Sequence, residues 1–184
     1  PIPNLVIASP LNELDLRNLM YTGYAAFNGP FVIRYPRGKG EMKDWRNEMQ
    51  VLPIGKGKKL RDGDDIAVLS IGPIGNEVIK AIEMVKEEGV SIAHYDMIYL
   101  KPLDEGLLHE IGRKYNRIIT VENGVIKGGF GSAVLEFMAD NGYTPHVKRI
   151  GVPDAFIEHG SIPELYQLCG MDAESIAKQL KKEN

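Results

Sequence analysis

The stretch from Arg117 to Ala139, RIITVENGVIKGGFGSAVLEFMA, constrains the fold most, because an apolar strand runs through a glycine-rich turn into a helix. Ile118, Ile119 and Val121 form a β-branched run of the kind buried in a parallel sheet, and Ala133 to Met138 read as the helix that follows. Between them, the glycines of Gly128-Gly129-Phe130-Gly131-Ser132 permit a tight turn that could aim free amides at an anion. The segment matches neither G-x-x-x-x-G-K-S/T nor G-x-G-x-x-G, so a packing turn is favoured over a phosphate cradle. Glu122 sits at the carboxyl end of the strand, where open α/β sheets place ligands, and its expected role is to accept amides of the turn. Ser132 is expected to cap the helix, since G-F-G-S lacks the G-x-S-x-G nucleophile elbow.

The rest of the chain repeats the same alternation. Leu5 to Ala8 predict a strand, Ser9 an N-cap, and Leu11, Leu14, Leu19, Met20 and Tyr24 the apolar stripe of a helix whose polar side carries Glu13, Asp15 and Arg17. Phe31 to Tyr35 give a second strand, and such a unit cannot close a core alone, so its apolar face is expected to be partly exposed, mobile or paired with another copy. Gly38 to Pro53 is polar and unpatterned and reads as a linker anchored by Trp45. Ile54 to Leu60 and Ile66 to Ile71 predict a hairpin with a lysine-rich edge strand and an apolar central one. Asn76 to Glu88 then predict a helix facing the sheet through Val78, Ile79, Ile82 and Val85, capped by Gly89. A strand over 90–100, a helix begun by Asp104, the Arg117 segment, a strand near Val147 to Ile150 and helices near 163–168 and 173–180 complete the series. The expected class is α/β: a mainly parallel open sheet with helices on both faces and an antiparallel edge hairpin, preceded by a partial α/β segment. Residues 1–50 form that partial segment with its linker, and residues 51–184 the complete domain.

Composition narrows the function classes. Hydrophobic residues make up 43% and charged residues 26% of 184, with a net charge of −3, which suits an ordinary globular protein and gives no footprint for nucleic acid. No apolar run is long enough for a membrane span. A lone cysteine, Cys169, fits a reducing, cytoplasmic setting and reads as an inert packed thiol. The start, Pro1-Ile2-Pro3, reads as a chain cut from something longer.

Four histidines, at 94, 109, 146 and 159, show no metal-ligand spacing. His159, beside Glu158 in a loop, has the chemistry of a tuned acid or base, but a loop-fixing or interface role is favoured. The sharper candidate is Arg34-Tyr35-Pro36-Arg37-Gly38. Pro36 ends the strand and stiffens the backbone, so Arg37 is presented at a strand end, where a guanidinium clamps a phosphate or carboxylate through two parallel hydrogen bonds. From the residues alone, a salt bridge to a nearby acid is an equal alternative.

Five segments in register, RYPRG at 34–38, LPIGKG at 52–57, KPLDE at 101–105, TVENGVIKGGFGSAV and GVPDAFIEHG at 151–160, closely resemble the 1-deoxy-D-xylulose 5-phosphate synthase family. The order and spacing match along essentially the whole chain. That family consists of thiamine diphosphate enzymes with three α/β domains, and the resemblance aligns this chain with the C-terminal end: a remnant of the pyrimidine-binding domain at 1–50 and a transketolase-type C-terminal domain at 51–184. The resemblance implies a homodimer that condenses pyruvate with D-glyceraldehyde 3-phosphate and releases carbon dioxide, for isoprenoid, thiamine and pyridoxal biosynthesis. It also implies that the Mg²⁺, diphosphate and catalytic motifs lie upstream of Pro1, so the piece alone is expected to be inactive and to bind no cofactor. Of the family's substrate ligands only Arg37 can be placed, similar to the arginine that binds the phosphate of glyceraldehyde 3-phosphate. The sequence departs from the commoner family form, two glutamates and an asparagine, in having Glu122-Asn123-Gly124 before the glycine turn. A self-standing interaction module and the C-terminal domain of a 2-oxoacid dehydrogenase β subunit are the alternatives, the latter fitting RYPRG and FIEHG poorly.

Overall fold

A computed structural model describes residues 2–38, 40, 42 and 44–181. Expectations touching Pro1, the linker residues Lys39, Glu41 and Lys43, and positions 182–184 lie outside the described residues. The chain begins with β1 (Val6–Ala8), α1 (Glu13–Ala25) and β2 (Phe31–Ile33). There follow β3 (Lys58–Arg61), β4 (Ile66–Ile71), α2 (Gly75–Met84), β5 (Ile92–Asp96), β6 (Tyr99–Lys101), α3 (Glu105–Lys114) and β7 (Arg117–Val125). Then come α4 (Phe130–Asp140), β8 (His146–Val152), α5 (Ile162–Leu168) and α6 (Ala173–Leu180).

A five-stranded sheet in the order β3-β5-β4-β7-β8 forms the larger layer, parallel except for β3. β4 is buried along its whole length, as its unbroken apolar sequence predicts. Successive side chains point to opposite faces, so Ile66 and Val68 join Ile119, Val121 and Ile150 beneath α2 and α6. Ala67, Leu69 and Ile118 pack on the other face against α3 and α4, completing a three-layer α/β/α sandwich. Helix α3 starts where expected, with the Asp104 side chain accepting the Leu107 amide.

Several local expectations are corrected. β3 is the antiparallel edge, but its partner is β5 rather than β4, because the amides of Asp64, Asp65 and Ile66 bond to the Ser91 carbonyl and direct the chain past the start of β5. The run from 90 to 100 is two strands in different sheets. Ile98, at φ 54, turns the chain between them, and Asp96 accepts its amide. The second helix ends at Met84 and continues as a 3-10 turn over Lys86–Glu88, closed by left-handed Gly89, while Ile79 is exposed and Ala81 takes the inward position. The first helix is capped by Asn12, whose side chain accepts the Asp15 amide, not by Ser9. Ser9 instead donates to the Arg34 carbonyl at 2.9 Å.

The first unit finds its missing neighbour within its own chain. β1 pairs in parallel with β2 and antiparallel with β6, giving a second sheet of order β2-β1-β6. Its core joins Val6, Ala8 and Leu19 to Ile98 and Tyr99. The apolar stripe expected on α1 holds only in part: Leu11 and Leu19 are buried, but Met20 is 61% and Tyr24 89% exposed, while Asp15, Asn18 and Thr22 are buried.

Candidate functional site

The glycine turn is occupied by the protein itself. Glu122, at the carboxyl end of β7, accepts the Phe130 amide through Oε2 and the Gly131 amide through Oε1, both at 2.8 Å. Those are the first amides of α4, the positions at which a helix N-terminus would otherwise hold an anion. A carboxylate there complements the helix dipole and leaves no cradle for phosphate. The glycines are explained by proximity. A Cβ on Gly129 would lie 2.3 Å from Glu122 Oε2, and one on Gly131 2.5 Å from Thr120 Oγ1. Gly129 takes the N-cap position, so Ser132 is not the cap; its hydroxyl accepts the Gly128 amide at 2.9 Å and an Arg149 Nη1 bond at 2.8 Å.

The RYPRG segment reaches this region from the smaller sheet. The Arg34 amide donates to the Ala8 carbonyl at 2.8 Å, which extends the β1–β2 pairing by one bond. Its guanidinium crosses to β7 and donates to the Asn123 carbonyl at 2.5 Å and to Asn123 Oδ1 at 3.2 Å. Asn123 Nδ2 donates in turn to the Tyr166 hydroxyl of α5 at 2.9 Å. Between the sheets a cleft of about 160 Å³ is lined by Ile7, Ser9, Arg34, Ile71, Glu122 and Phe130, among others. Arg37 lies three residues beyond Arg34 and is exposed, and no acid pairs with it among the described residues. The salt-bridge alternative for Arg37 is thus not realised among those residues.

A buried polar junction escaped the sequence reading. Asp15 of α1, expected on the solvent side, accepts a 2.5 Å ion pair from Lys58 of β3. Asp96, opposite Lys58 in the β3–β5 register, is fully buried, and burial together with the nearby Asp15 charge pushes its carboxyl up to about 7. His94, two residues earlier, meets the Ser70 hydroxyl at 2.8 Å, and burial lowers its imidazole to about 4, so it is neutral. Only the pairing of strands 24 and more residues apart brings these groups together, and no sequence motif signals it.

Other candidates are not gathered at the cleft. Glu158 and His159 are exposed on the loop between β8 and α5, while Cys169 is half-buried against the core beneath α2 and α6. Among the described residues no three His, Cys, Asp or Glu side chains are grouped to hold a metal ion, and no helix is long and apolar enough to cross a membrane.

Residues 55–176 match the family described as "Transketolase, C-terminal domain". Among curated proteins, the chain is 98% identical over all 184 residues to a 1-deoxy-D-xylulose-5-phosphate synthase of Parabacteroides distasonis, of which it spans 29%. It is 61% identical over its whole length to the synthase of Bacteroides thetaiotaomicron, spanning 28% of it. It is 44% identical over 180 residues, or 98% of the chain, to that of Syntrophotalea carbinolica, again spanning 28%. A solved structure described as a split gene transketolase, inactive beta4 tetramer, superposes on 98% of the chain and 59% of its own, with a TM-score of 0.80 at 28% identity.

Proposed function

The chain belongs to the transketolase C-terminal domain family, and from that membership we propose that it forms the C-terminal part of a 1-deoxy-D-xylulose 5-phosphate synthase. The observation that carries this is identity of 98% across every residue to a synthase of that name, at less than a third of its length. The parent enzyme would condense pyruvate with D-glyceraldehyde 3-phosphate, release carbon dioxide, and act as a cytoplasmic homodimer feeding isoprenoid, thiamine and pyridoxal synthesis. Thiamine diphosphate would supply the carbanion chemistry, with Mg²⁺ on its diphosphate. Among the described residues no three His, Cys, Asp or Glu side chains are grouped to hold a metal ion, and both oxygens of Glu122 are engaged by α4.

The contribution of this chain is then to position substrate. Arg37 is exposed at the end of a strand fixed to β1, and its guanidinium has the charge and geometry to take the phosphate of glyceraldehyde 3-phosphate. In the full-length enzyme, Arg37→Ala is expected to raise KM for glyceraldehyde 3-phosphate about tenfold or more, the loss of one charged hydrogen-bonding partner, with KM for pyruvate nearly unchanged. An equal effect on both substrates would count against a phosphate clamp.

A further inference from the structure

We infer that Arg34 is a positioning residue for phosphate recognition: it pins the strand end that carries Arg37 to the edge of the five-stranded sheet and does not itself bind substrate. The inference rests on the assignment of Arg37 to the phosphate.

The main chain at Arg34 is held on both sides, its amide on the Ala8 carbonyl and its carbonyl by the Ser9 hydroxyl. Its side chain uses both Nη atoms on a single residue, Asn123, at the carboxyl end of β7. Asn123 is itself fixed through its amide to Tyr166 on α5. Arg34 is therefore a strut joining β1, β7 and α5, and among the described residues these side-chain bonds are the ones by which the 34–38 segment reaches the larger sheet. A planar guanidinium already engaged through both ends is ill suited to act as a second free clamp.

Position is transmitted outward by a short and stiff path. Only Tyr35 and Pro36 separate the two arginines. The proline ring fixes its own φ and restricts the residue before it, so a displacement at Arg34 is passed to Arg37 rather than absorbed by the backbone. Among the described residues Arg37 makes no ion pair. The Arg34 contact also lies on the same strand end as Glu122, which fixes the glycine turn. A single strand terminus thus sets both the start of α4 and the start of the phosphate-binding arm.

The test is steady-state kinetics of the full-length synthase. Arg34→Ala is expected to raise KM for glyceraldehyde 3-phosphate about tenfold through misplacement of Arg37, leave KM for pyruvate within about twofold, and lose this effect when D-glyceraldehyde replaces its 3-phosphate. In an Arg37→Ala background, Arg34→Ala should add nothing, because there is no clamp left to place. Asn123→Ala should act in the same direction but less, since the backbone carbonyl remains, and Asn123→Asp, which keeps an acceptor oxygen, should stay near the parent. Should Arg34→Ala not fold, Arg34→Lys carries the same reading, because a lysine keeps the charge but cannot span both oxygens. An equal rise for both substrates, or an additive effect in the Arg37→Ala background, overturns the inference and leaves the Arg37 assignment standing. Absence of a phosphate-selective effect in Arg37→Ala alone overturns both.

Discussion

Helices cover both faces of the five-stranded sheet, whereas the three-stranded sheet relies on α1 and leaves β2 as an open edge with Val32 exposed. The larger sheet is held by alternating apolar residues that meet two separate helical layers. The smaller one adds polar ties to a single small apolar cluster around Leu19 and Tyr99. Thr22, buried on α1, accepts the Leu52 amide at 2.8 Å, Asn18 accepts the Gln50 amide at 3.0 Å, and Asp15 pairs with Lys58. Beyond these ties lies an apolar groove of about 820 Å³, lined by Leu16, Met20, Tyr24, Met42, Trp45 and Met49. On α1, where Asp15, Asn18 and Thr22 are buried beside Leu19 while Met20 and Tyr24 are exposed, specific hydrogen bonds supplement a weak amphipathic pattern.

That contrast can be broken by equal deletions in the two cores. Ile119→Ala, in the first half of β7 and fully buried, is expected to cost about 4 kcal/mol, because α2 and α6, packed over that face of the sheet, cannot collapse into the cavity. Leu19→Ala, equally buried on α1, is expected to cost about 2 to 3 kcal/mol, because a helix flanked by an open groove can relax. Chemical denaturation of both variants checks this, and equal losses would mean that the smaller sheet is packed as rigidly as the larger.

The polar ties give a smaller and more local effect. Thr22→Val keeps the shape but removes the hydroxyl that accepts from Leu52 and donates to the Asn18 carbonyl, at an expected cost of about 1 to 2 kcal/mol. Amide exchange should quicken at Leu52 while amides of β7 keep their protection. Uniform acceleration in both sheets would show that the tie supports the whole molecule instead of the smaller sheet.

What could be read from residues follows the same division. β4, α3 with its Asp104 cap, and the strand-turn-helix around Glu122 were legible because each is specified by neighbours in sequence: a continuous apolar run, a capping side chain, glycines beside a carboxylate. The partner of β3 was not, since β5 begins at Ile92, 31 residues after β3 ends at Arg61, with β4 lying between them in sequence. Nor was the buried side of α1, where Asp15, Asn18 and Thr22 face inward only because a returning backbone and Lys58 offer them partners. At the site, RYPRG could be picked out as a stiff cationic turn. Its attachment could not, because Arg34 and Asn123 lie 89 residues apart and meet only in the folded chain.

Asp96 offers the finest test, visible as a slope with pH rather than as a single loss. Its carboxyl faces Asp15 from α1 and Lys58 from β3, sits beside Ser70 on β4, and accepts the Ile98 amide. Burial first, and the Asp15 charge second, raise it from 3.8 to about 7. The folded state thus holds a proton that the unfolded chain releases, so the stabilisation is complete below pH 3.8 and is lost as pH rises through about 7. His94 works in the opposite sense. Burial lowers it from 6.5 to about 4, so its contribution is present above pH 6.5 and is lost as pH falls through about 4. Between these limits the two slopes oppose each other, and the parent's stability should vary little. Asp96→Asn removes one of them. At pH 4 the substitution should change stability by less than about 1 kcal/mol, and relative to the parent the variant should gain steadily up to pH 7 and then level off. Denaturant midpoints at pH 4, 5, 6, 7 and 8 check it. A constant difference across that range would mean that Asp96 is already ionised in the fold, with Lys58 shared between the two carboxylates at the seam of the two sheets.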